Sequence, residues 1–240
     1  MKIIDDLLST LSYETPVKDI RQGPFQTAVI TRNCGLASTP HDSGPHRDKA
    51  PVKEAGLLMQ KDALSLARMV YSPSPLEAAI GMATINSLIE IDEQRCIQLN
   101  AGDLLIERGK GKKVAIVGHF PFVPRLREVT KELWVIERQP QPGDFTENAA
   151  ERLIPMAEVI GITGTAFSNH TIAHLLDLCE PHAYVVILGG TAPLSPVLFD
   201  FGVDAISGTQ VVDPEIVLRC VGQGATFRQI KGIRLLTLMG

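Results

Sequence analysis

The chain has 240 residues, of which 45% are hydrophobic and 21% charged, and its formal net charge at pH 7 is −4. This composition is typical of a folded globular protein of one or two domains, and it excludes a collagen-like chain and a disordered tail. The acidic balance disfavours nucleic-acid binding, since that affinity comes largely from cations that neutralise phosphates.

Neither a membrane-spanning helix nor a secretory signal is predicted. The sequence has no run of 18 apolar residues, and its N-terminus, MKIIDDLLSTLSYE, lacks the apolar core of a signal peptide. Four cysteines lie far apart, without the close pairs of a zinc site, at Cys34, Cys96, Cys179 and Cys220. We therefore expect reduced, buried thiols in a cytoplasmic protein that does not insert into membranes.

The first part of the chain begins with two predicted strands, over residues 26–32 and 34–38, because β-branched residues are enriched there. A polar stretch over residues 39–55 follows and predicts a long loop, which could close over a binding site. A helix is predicted over residues 60–70.

The next helix has a clear start. Ser74 is a good N-cap, Pro75 suits the first helical position, and Glu77 completes the sequence pattern of a capping box. The body AAIGMATINSLIEI is apolar on nearly every face, which predicts a buried helix whose small residues allow another element to approach closely. Asn86 is the only amide in this body. We expect it either to offer its amide to a ligand or to bond a carbonyl across a domain interface.

From Lys113 onward, short apolar strands alternate with helical stretches. This pattern predicts a mainly parallel sheet covered on both faces, as in a Rossmann-like three-layer domain. The strands are predicted over residues 113–117, 133–136, 158–162, 183–188, 204–206 and 233–238. The Gly/Lys-rich segment 108–113 marks a linker, so we predict domains over residues 1–108 and 109–240.

Ligands bind beyond the carboxyl ends of the strands in such sheets. The residues that follow the predicted strands are therefore candidates: Gly118, His119, Glu137, Thr163, Gly164, Thr165, Gly189, Gly190 and Thr191. The alternative is that these glycines and threonines only make tight turns. We expect Glu137 at the sheet edge, near the turn after Gly118. Its partner would be a ligand hydroxyl, a cation, a helix N-terminus or, in a structural role, Arg138.

Known nucleotide and hydrolase motifs are absent. The first strand is followed by GHFPFV rather than G-x-G-x-x-G, and its Phe and Pro residues would obstruct a pyrophosphate. Glu137 does fall where a ribose-binding acid would lie. Neither a Walker A motif nor the G-x-S-x-G serine elbow is present.

The histidines leave alternatives open. His170 and His174 are four residues apart, so on one helix they would share a face, either as metal ligands or as a solvated or packed pair. His41 and His46 lie in the long loop and reach a site only if that loop folds over. His119 follows a glycine at a strand end and either contacts a ligand or bonds the backbone of its turn.

Several motifs in order carry a resemblance to a known family: GMATINSL, VAIVGHFPF, ERQPQPGD, ITGTAFSNHT and GGTAPLSPVLFDFGVD. They resemble the "putative heavy-metal chelation" family, most strongly over residues 76–215. The resemblance implies an N-terminal α+β domain similar to the enolase N-terminal fold, followed by a Rossmann-like domain. It also implies a site in the cleft between them, adding Asn86, Asp144 and Asn169 to the strand-end residues.

This sequence departs from the family pattern at three places. His119 stands where the family has an aromatic residue such as Tyr, and His170 stands where it has Gly. Gly189-Gly190-Thr191 replaces a Gly-Pro-Ser-Thr form. These differences concern the details of ligand contact rather than the fold.

The leading hypothesis is a protein that binds or processes a small metal-chelating molecule or a metal complex in the cleft. Soft metals prefer clustered thiolates or imidazoles, which the sequence does not offer. Its Asn, Glu, Asp and Thr residues suit a small polar molecule, a divalent hard cation, or a metal already held by a chelator. The alternatives are an enzyme that uses a nucleotide-like cofactor such as S-adenosylmethionine, and a non-catalytic regulatory module.

Overall fold

The computed structural model describes residues 2–40 and 50–240. His41, His46 and most of the predicted long loop lie outside the described residues, so the hypothesis that this loop covers a site stays a prediction.

The strands of the described ranges are β1 Asp19–Gln22, β2 Gln26–Ile30, β3 Cys34–Ser38, β4 Cys96–Ile97, β5 Lys113–Val117, β6 Glu132–Glu137, β7 Phe145–Thr146, β8 Val159–Thr163, β9 Tyr184–Leu188, β10 Ala205–Val211 and β11 Ile233–Met239. The α-helices are α1 Lys2–Ser9, α2 Ala63–Ala67, α3 Pro75–Leu88, α4 Ala101–Gly109, α5 Val123–Val129, α6 Ala150–Leu153, α7 Thr165–Ser168, α8 Ile172–Asp177 and α9 Pro214–Gly222. Short 3₁₀ turns flank α2 and α6.

Eight strands of the described chain form one large sheet in the order β4-β11-β10-β9-β8-β5-β6-β7. In this order, the neighbouring strands from β10 through β9, β8, β5 and β6 to β7 are all parallel. At the other edge, β11 pairs antiparallel with β10, and β4 pairs antiparallel with β11. The predicted fold class, an α/β protein with a mainly parallel sheet, is confirmed.

Alternate side chains of each central strand enter different cores, as the period of two in a strand requires. On β5, Val114 and Ile116 pack with residues of α4 and α5 such as Leu105 and Leu126. Ala115, between them, belongs to the opposite core, which extends without a break into the first part of the chain. The large sheet is therefore covered by α4 and α5 on one face, and by α6, α7 and α8 together with the N-terminal unit on the other.

The N-terminal unit is built on the antiparallel sheet β1-β2-β3. Helix α3 packs on it so closely that a Cβ on Gly35 would lie 2.1 Å from the Ala83 carbonyl oxygen. The other face holds Ala28 and Leu36, which pack with Val217 and Val221 of α9. An element from late in the chain thus completes the core of the first unit.

Helix α3 begins where the sequence predicts, at Pro75 after Ser74, but the predicted capping box does not form. The Ser74 hydroxyl donates to the carbonyl of Pro51 instead of capping its own helix. The buried Glu77 carboxylate accepts hydrogen bonds from the Lys53 backbone N–H and the Ser72 hydroxyl. The side chains of Ser74 and Glu77 therefore bond the segment before the helix rather than the first turn of the helix itself.

The predicted boundary between residues 108 and 109 stays a prediction. Residues 96–109 nonetheless pack with the large sheet, because β4 pairs with β11 and the side chains of α4 lie against β5 and its neighbours. Residues 110–112 of the Gly/Lys-rich segment form the turn between α4 and β5.

The prediction that His170 and His174 share one helical face is wrong. Helix α8 begins only at Ile172, and His170 precedes it in the left-handed region with φ +61°. Its Nε2 donates to the carbonyl of Val70, 2.7 Å away in the N-terminal unit. The His174 ring instead faces Glu151.

This conformation predicts an unusual order of stability. Both His170→Ala and His170→Gly lose the bond to Val70, but only alanine bears the cost of a left-handed backbone, about 1 kcal/mol. We therefore expect the alanine variant to be the less stable one in urea denaturation. At the exposed His182, whose φ is not positive, glycine should confer no such advantage. Equal stability of the two His170 variants would contradict this account.

Candidate functional site

The strand order places a crevice at the carboxyl ends of β5 and β8. From β5 the chain continues to β6 on one side of β5, and it later returns to the other side as β8. The gap between β5 and β8 is therefore a topological switch point, where ligands bind in parallel sheets. Gly118 and Gly189 both adopt positive φ there, +105° and +108°, so these two turns favour glycine.

Two cavities open at this edge. The first, about 820 Å³, we call the His119 chamber; six of the predicted site residues line it: Gly118, His119, Glu137, Thr163, Thr165 and Asn169. The second, about 1070 Å³, we call the Phe227 chamber. Gly189, Gly190 and Thr191 line it. The chambers share walls from Ser38, Phe120, Thr163 and Thr165.

Glu137 lies at the end of β6, at the sheet edge as predicted. One carboxylate oxygen accepts from the backbone N–H of His119 at 3.0 Å, and the other accepts from the Arg138 N–H at 2.7 Å. The Arg138 guanidinium pairs with Glu147 instead, so the predicted salt bridge to Glu137 does not form. A carboxylate offers about four acceptor positions, so Glu137 keeps capacity for a ligand.

His119 is oriented by Asp144. Its Nδ1 lies 2.8 Å from the Asp144 Oδ2, which also accepts from the Gln141 backbone N–H. The Asp144 side chain is 2% exposed and the histidine ring 28% exposed. Because a carboxylate only accepts, Nδ1 carries a proton, and Nε2 is the ring nitrogen that is left for another partner. Within the described ranges Nε2 makes no hydrogen bond.

The His119 chamber is acidic. Three glutamates and one arginine of the described residues line it: Glu137, Glu147, Glu151 and Arg138. His174 lines it as well and bonds Glu151 at 2.6 Å. Such a lining favours a cationic group or a metal over a phosphate.

Phe120 occupies the place where a dinucleotide pyrophosphate would pass. Its ring lies 3.1 Å from a Cβ built on Gly118 and 3.9 Å from one built on Gly189. It also stacks on Phe122 with ring centroids 5.3 Å apart. This arrangement agrees with the sequence argument against ordinary nucleotide binding.

Three predicted site residues have structural partners. The Asn86 Nδ2 donates to the carbonyls of Leu36 and Thr191, at 2.8 and 3.2 Å. The Thr191 hydroxyl accepts from the Ser38 backbone N–H. A Cβ on Gly164 would lie 2.3 Å from the Ala192 nitrogen, so that glycine allows two turns to touch. Asn86 and Thr191 therefore join the two units, whereas Gly164 joins two turns of the large sheet.

The Asn86 NH₂ group is therefore used in protein contacts. Its bond to the Thr191 carbonyl crosses the junction between the N-terminal unit and the large sheet, which is one of the two arrangements that the sequence left open. Its Oδ1 is buried without a partner among the described residues, and Asn86 lines a third cavity of about 250 Å³. That Asn86 binds a ligand stays a prediction, and the atom that could make the contact is Oδ1.

No group of three or more His, Cys, Asp or Glu in residues 2–40 and 50–240 is arranged to hold a metal ion. Burial raises the pKa of the Cys34 and Cys179 thiols to about 12, so neither supplies the thiolate that soft metals prefer. Cys34 is buried as predicted, whereas Cys96, Cys179 and Cys220 are only partly buried. Across the same described ranges, no helix has the length and apolar character needed to span a membrane.

Sequence reasoning missed Ser38 and Phe227, and it treated Phe120 only as an obstacle. Ser38 ends β3 in the N-terminal unit, and only the packing of the units brings it to the sheet edge. The Phe227 ring packs on Gly190, 2.6 Å from a Cβ built there. The aromatic run after Gly118 was the one available signal.

The fold and this site define a class of α/β protein in which a small antiparallel unit packs on one face of a mainly parallel sheet and reaches its carboxyl edge through Ser38. A family model described as "Putative heavy-metal chelation" matches residues 100–239, and a second model of the same description matches residues 4–89. The chain belongs to this family.

Similar proteins have no established function. A crystal structure of a protein of unknown function from Desulfitobacterium hafniense covers all of this chain, with 98% of its own length matched, 25% identity and a TM-score of 0.85. A second, from Pyrococcus horikoshii, has 21% identity and a TM-score of 0.83, with the same coverage. An uncharacterized protein from Methanocaldococcus jannaschii is 28% identical over 169 residues; the match spans 68% of this chain and 65% of that protein.

Proposed function

We propose that this protein binds a small metal-chelating molecule or metal complex in the His119 chamber, with His119 Nε2 as a ligand to the metal. The oriented imidazole carries the proposal. A histidine that donates one ring N–H to a carboxylate and presents its other nitrogen is the usual arrangement at protein metal sites.

One imidazole supplies one ligand, so the chelator supplies the others. The family description points to a heavy metal, and imidazole suits several of them. The glutamates around the chamber balance the positive charge of a complexed metal. Asn169 and Thr165 offer hydrogen bonds to the polar edge of the chelator.

Isothermal titration with Ni²⁺ carrying one 1,10-phenanthroline tests the proposal, since this complex leaves coordination positions open. We expect His119→Gln to weaken binding at least about 10-fold. His174→Gln is the matched control, because His174 lines the same chamber with its Nε2 directed at Glu151. Equal loss in both variants, or no binding by the unaltered protein, would overturn the proposal. Tight binding of S-adenosylmethionine in place of the nickel complex would favour the nucleotide-dependent enzyme.

Glu137→Gln is expected to keep the fold and to weaken binding of the same complex at least ~10-fold, or ~1.4 kcal/mol. An amide has only one acceptor oxygen, so one of the N–H groups of His119 and Arg138 loses its partner and His119 is held less firmly. Glu128→Gln is the control, since Glu128 is exposed on α5 and lies outside the lining of both cavities. Titration calorimetry gives both affinities, and an unchanged affinity in Glu137→Gln would remove Glu137 from the site.

A further inference from the structure

We propose that the ligand is a chelator with a flat aromatic body, which lies in the Phe227 chamber while its metal-binding end lies in the His119 chamber. This inference rests on the proposed function and names the class of ligand. It concerns the Phe227 chamber, whereas the proposed metal ligand, His119, lines the other chamber.

The Phe227 chamber is lined differently from its neighbour. Aromatic and branched aliphatic side chains form much of its wall: Phe120, Phe122, Phe227, Ile230, Ile233 and Leu236. Three charged residues also line it: Asp103 and Arg125, which are joined at 3.0 Å, and Arg228. A cavity with this lining stabilises an apolar group by removing it from water, and aromatic walls favour a planar partner.

The chambers adjoin at Phe120. Four residues, including Thr163 and Thr165, line both cavities, so one molecule can contact both. The Phe120 and Phe122 rings are inclined by only 11° and form a stack at this boundary. A planar ring in the Phe227 chamber can extend that stack while its donor atoms face His119.

The size of the larger cavity agrees with this assignment. About 1070 Å³ is at the upper end of the range for small-molecule sites, and a bare metal or a small polar molecule would fill little of it. A dinucleotide of similar volume would meet the Phe120 ring at the glycines that its pyrophosphate would need to approach.

The test compares two neutral bidentate chelators, each bound to one Ni²⁺: aromatic 1,10-phenanthroline and aliphatic ethylenediamine. We expect the phenanthroline complex to bind at least about 10-fold more tightly in isothermal titration. Ala101 lines the Phe227 chamber but not the His119 chamber, so Ala101→Phe adds bulk at the wall of the Phe227 chamber alone. It should abolish this preference and leave the affinity for the ethylenediamine complex unchanged.

The outcomes separate the two proposals. Equal affinity for the two complexes in the unaltered protein would overturn the aromatic ligand and leave the metal site standing. Failure of both complexes to bind, or binding of phenanthroline that is unaffected by nickel and by His119→Gln, would overturn the proposed function. Phe227→Ala provides a second variant, and its circular-dichroism spectrum and melting temperature show whether it folds. A folded Phe227→Ala protein that retains the full preference would also contradict the aromatic ligand.

Discussion

Gly81→Ala is expected to destabilise the protein by about 2–3 kcal/mol, although alanine is the better helix former. Gly81 lies in the middle of α3, where its missing side chain lets the 3₁₀ turn at Arg68–Tyr71 approach. A Cβ there would lie 2.0 Å from the Val70 nitrogen and 2.6 Å from the Val70 Cα. Backbone atoms cannot rotate away, so the helix or the turn must shift.

Gly222→Ala is the matched control. Gly222 also lies in a helix, at the end of α9, and its added Cβ would meet only the Arg21 guanidinium at 3.9 Å. Chemical denaturation of both variants should show a loss for Gly81→Ala alone, with a change within about 0.5 kcal/mol for the control. Wild-type stability in Gly81→Ala would mean that the turn before α3 is not held against the helix.

Asn86→Asp is expected to cost about 3 kcal/mol or more, since it replaces a buried donor by an acceptor that faces two carbonyl oxygens. The Nδ2 of Asn86 bonds the carbonyls of Leu36 in the N-terminal unit and of Thr191 in the turn after β9. The substitution therefore weakens the contact between the two units. Asn86→Ala removes the same bonds without the repulsion and should cost less. Melting temperatures and urea denaturation measure the three proteins.

The pH dependence provides a further check on this junction. Protonation gives the introduced carboxyl a donor, so the deficit of Asn86→Asp should shrink as the pH falls towards about 4. Asn100→Asp is the control, because Asn100 caps α4 with its oxygen alone, accepting from the Gly102 N–H, and a carboxylate serves equally well there. A deficit equal to that of Asn86→Ala at every pH would contradict the role of Nδ2.

The sheet could be predicted from local sequence because its strands are short apolar runs between turn residues. Lys113–Val117 is a strand with the predicted bounds, and so is Cys34–Ser38. Helices α1 and α4 were not predicted, although each carries buried leucines. The start of α3 followed from Pro75, but the partners of Ser74 and Glu77 did not, since those partners come from the preceding loop.

The candidate site was predictable to the extent that it follows the strands. Parallel strands bring their carboxyl ends to one edge, so Gly118, Glu137 and Thr163 had to lie near one another. The pairing of His119 with Asp144 depends on the course of the loop between β6 and β7, which no local pattern specifies. The left-handed backbone conformation of His170 could not be predicted either, because the sequence there resembles the start of a helix.

The sequence by itself determined the class of fold and the edge of the sheet at which polar residues gather, because hydrophobic periodicity and turn residues act over a few neighbours. Only the tertiary structure decided which of those residues remain available. It assigned the Asn86 amide and Thr191 to the junction, the Glu137 carboxylate to two backbone N–H groups, and His119 to the wall of an open cavity with its Nδ1 on Asp144. These assignments rest on contacts between residues up to 153 positions apart, whose geometry is fixed only when the two units share one core.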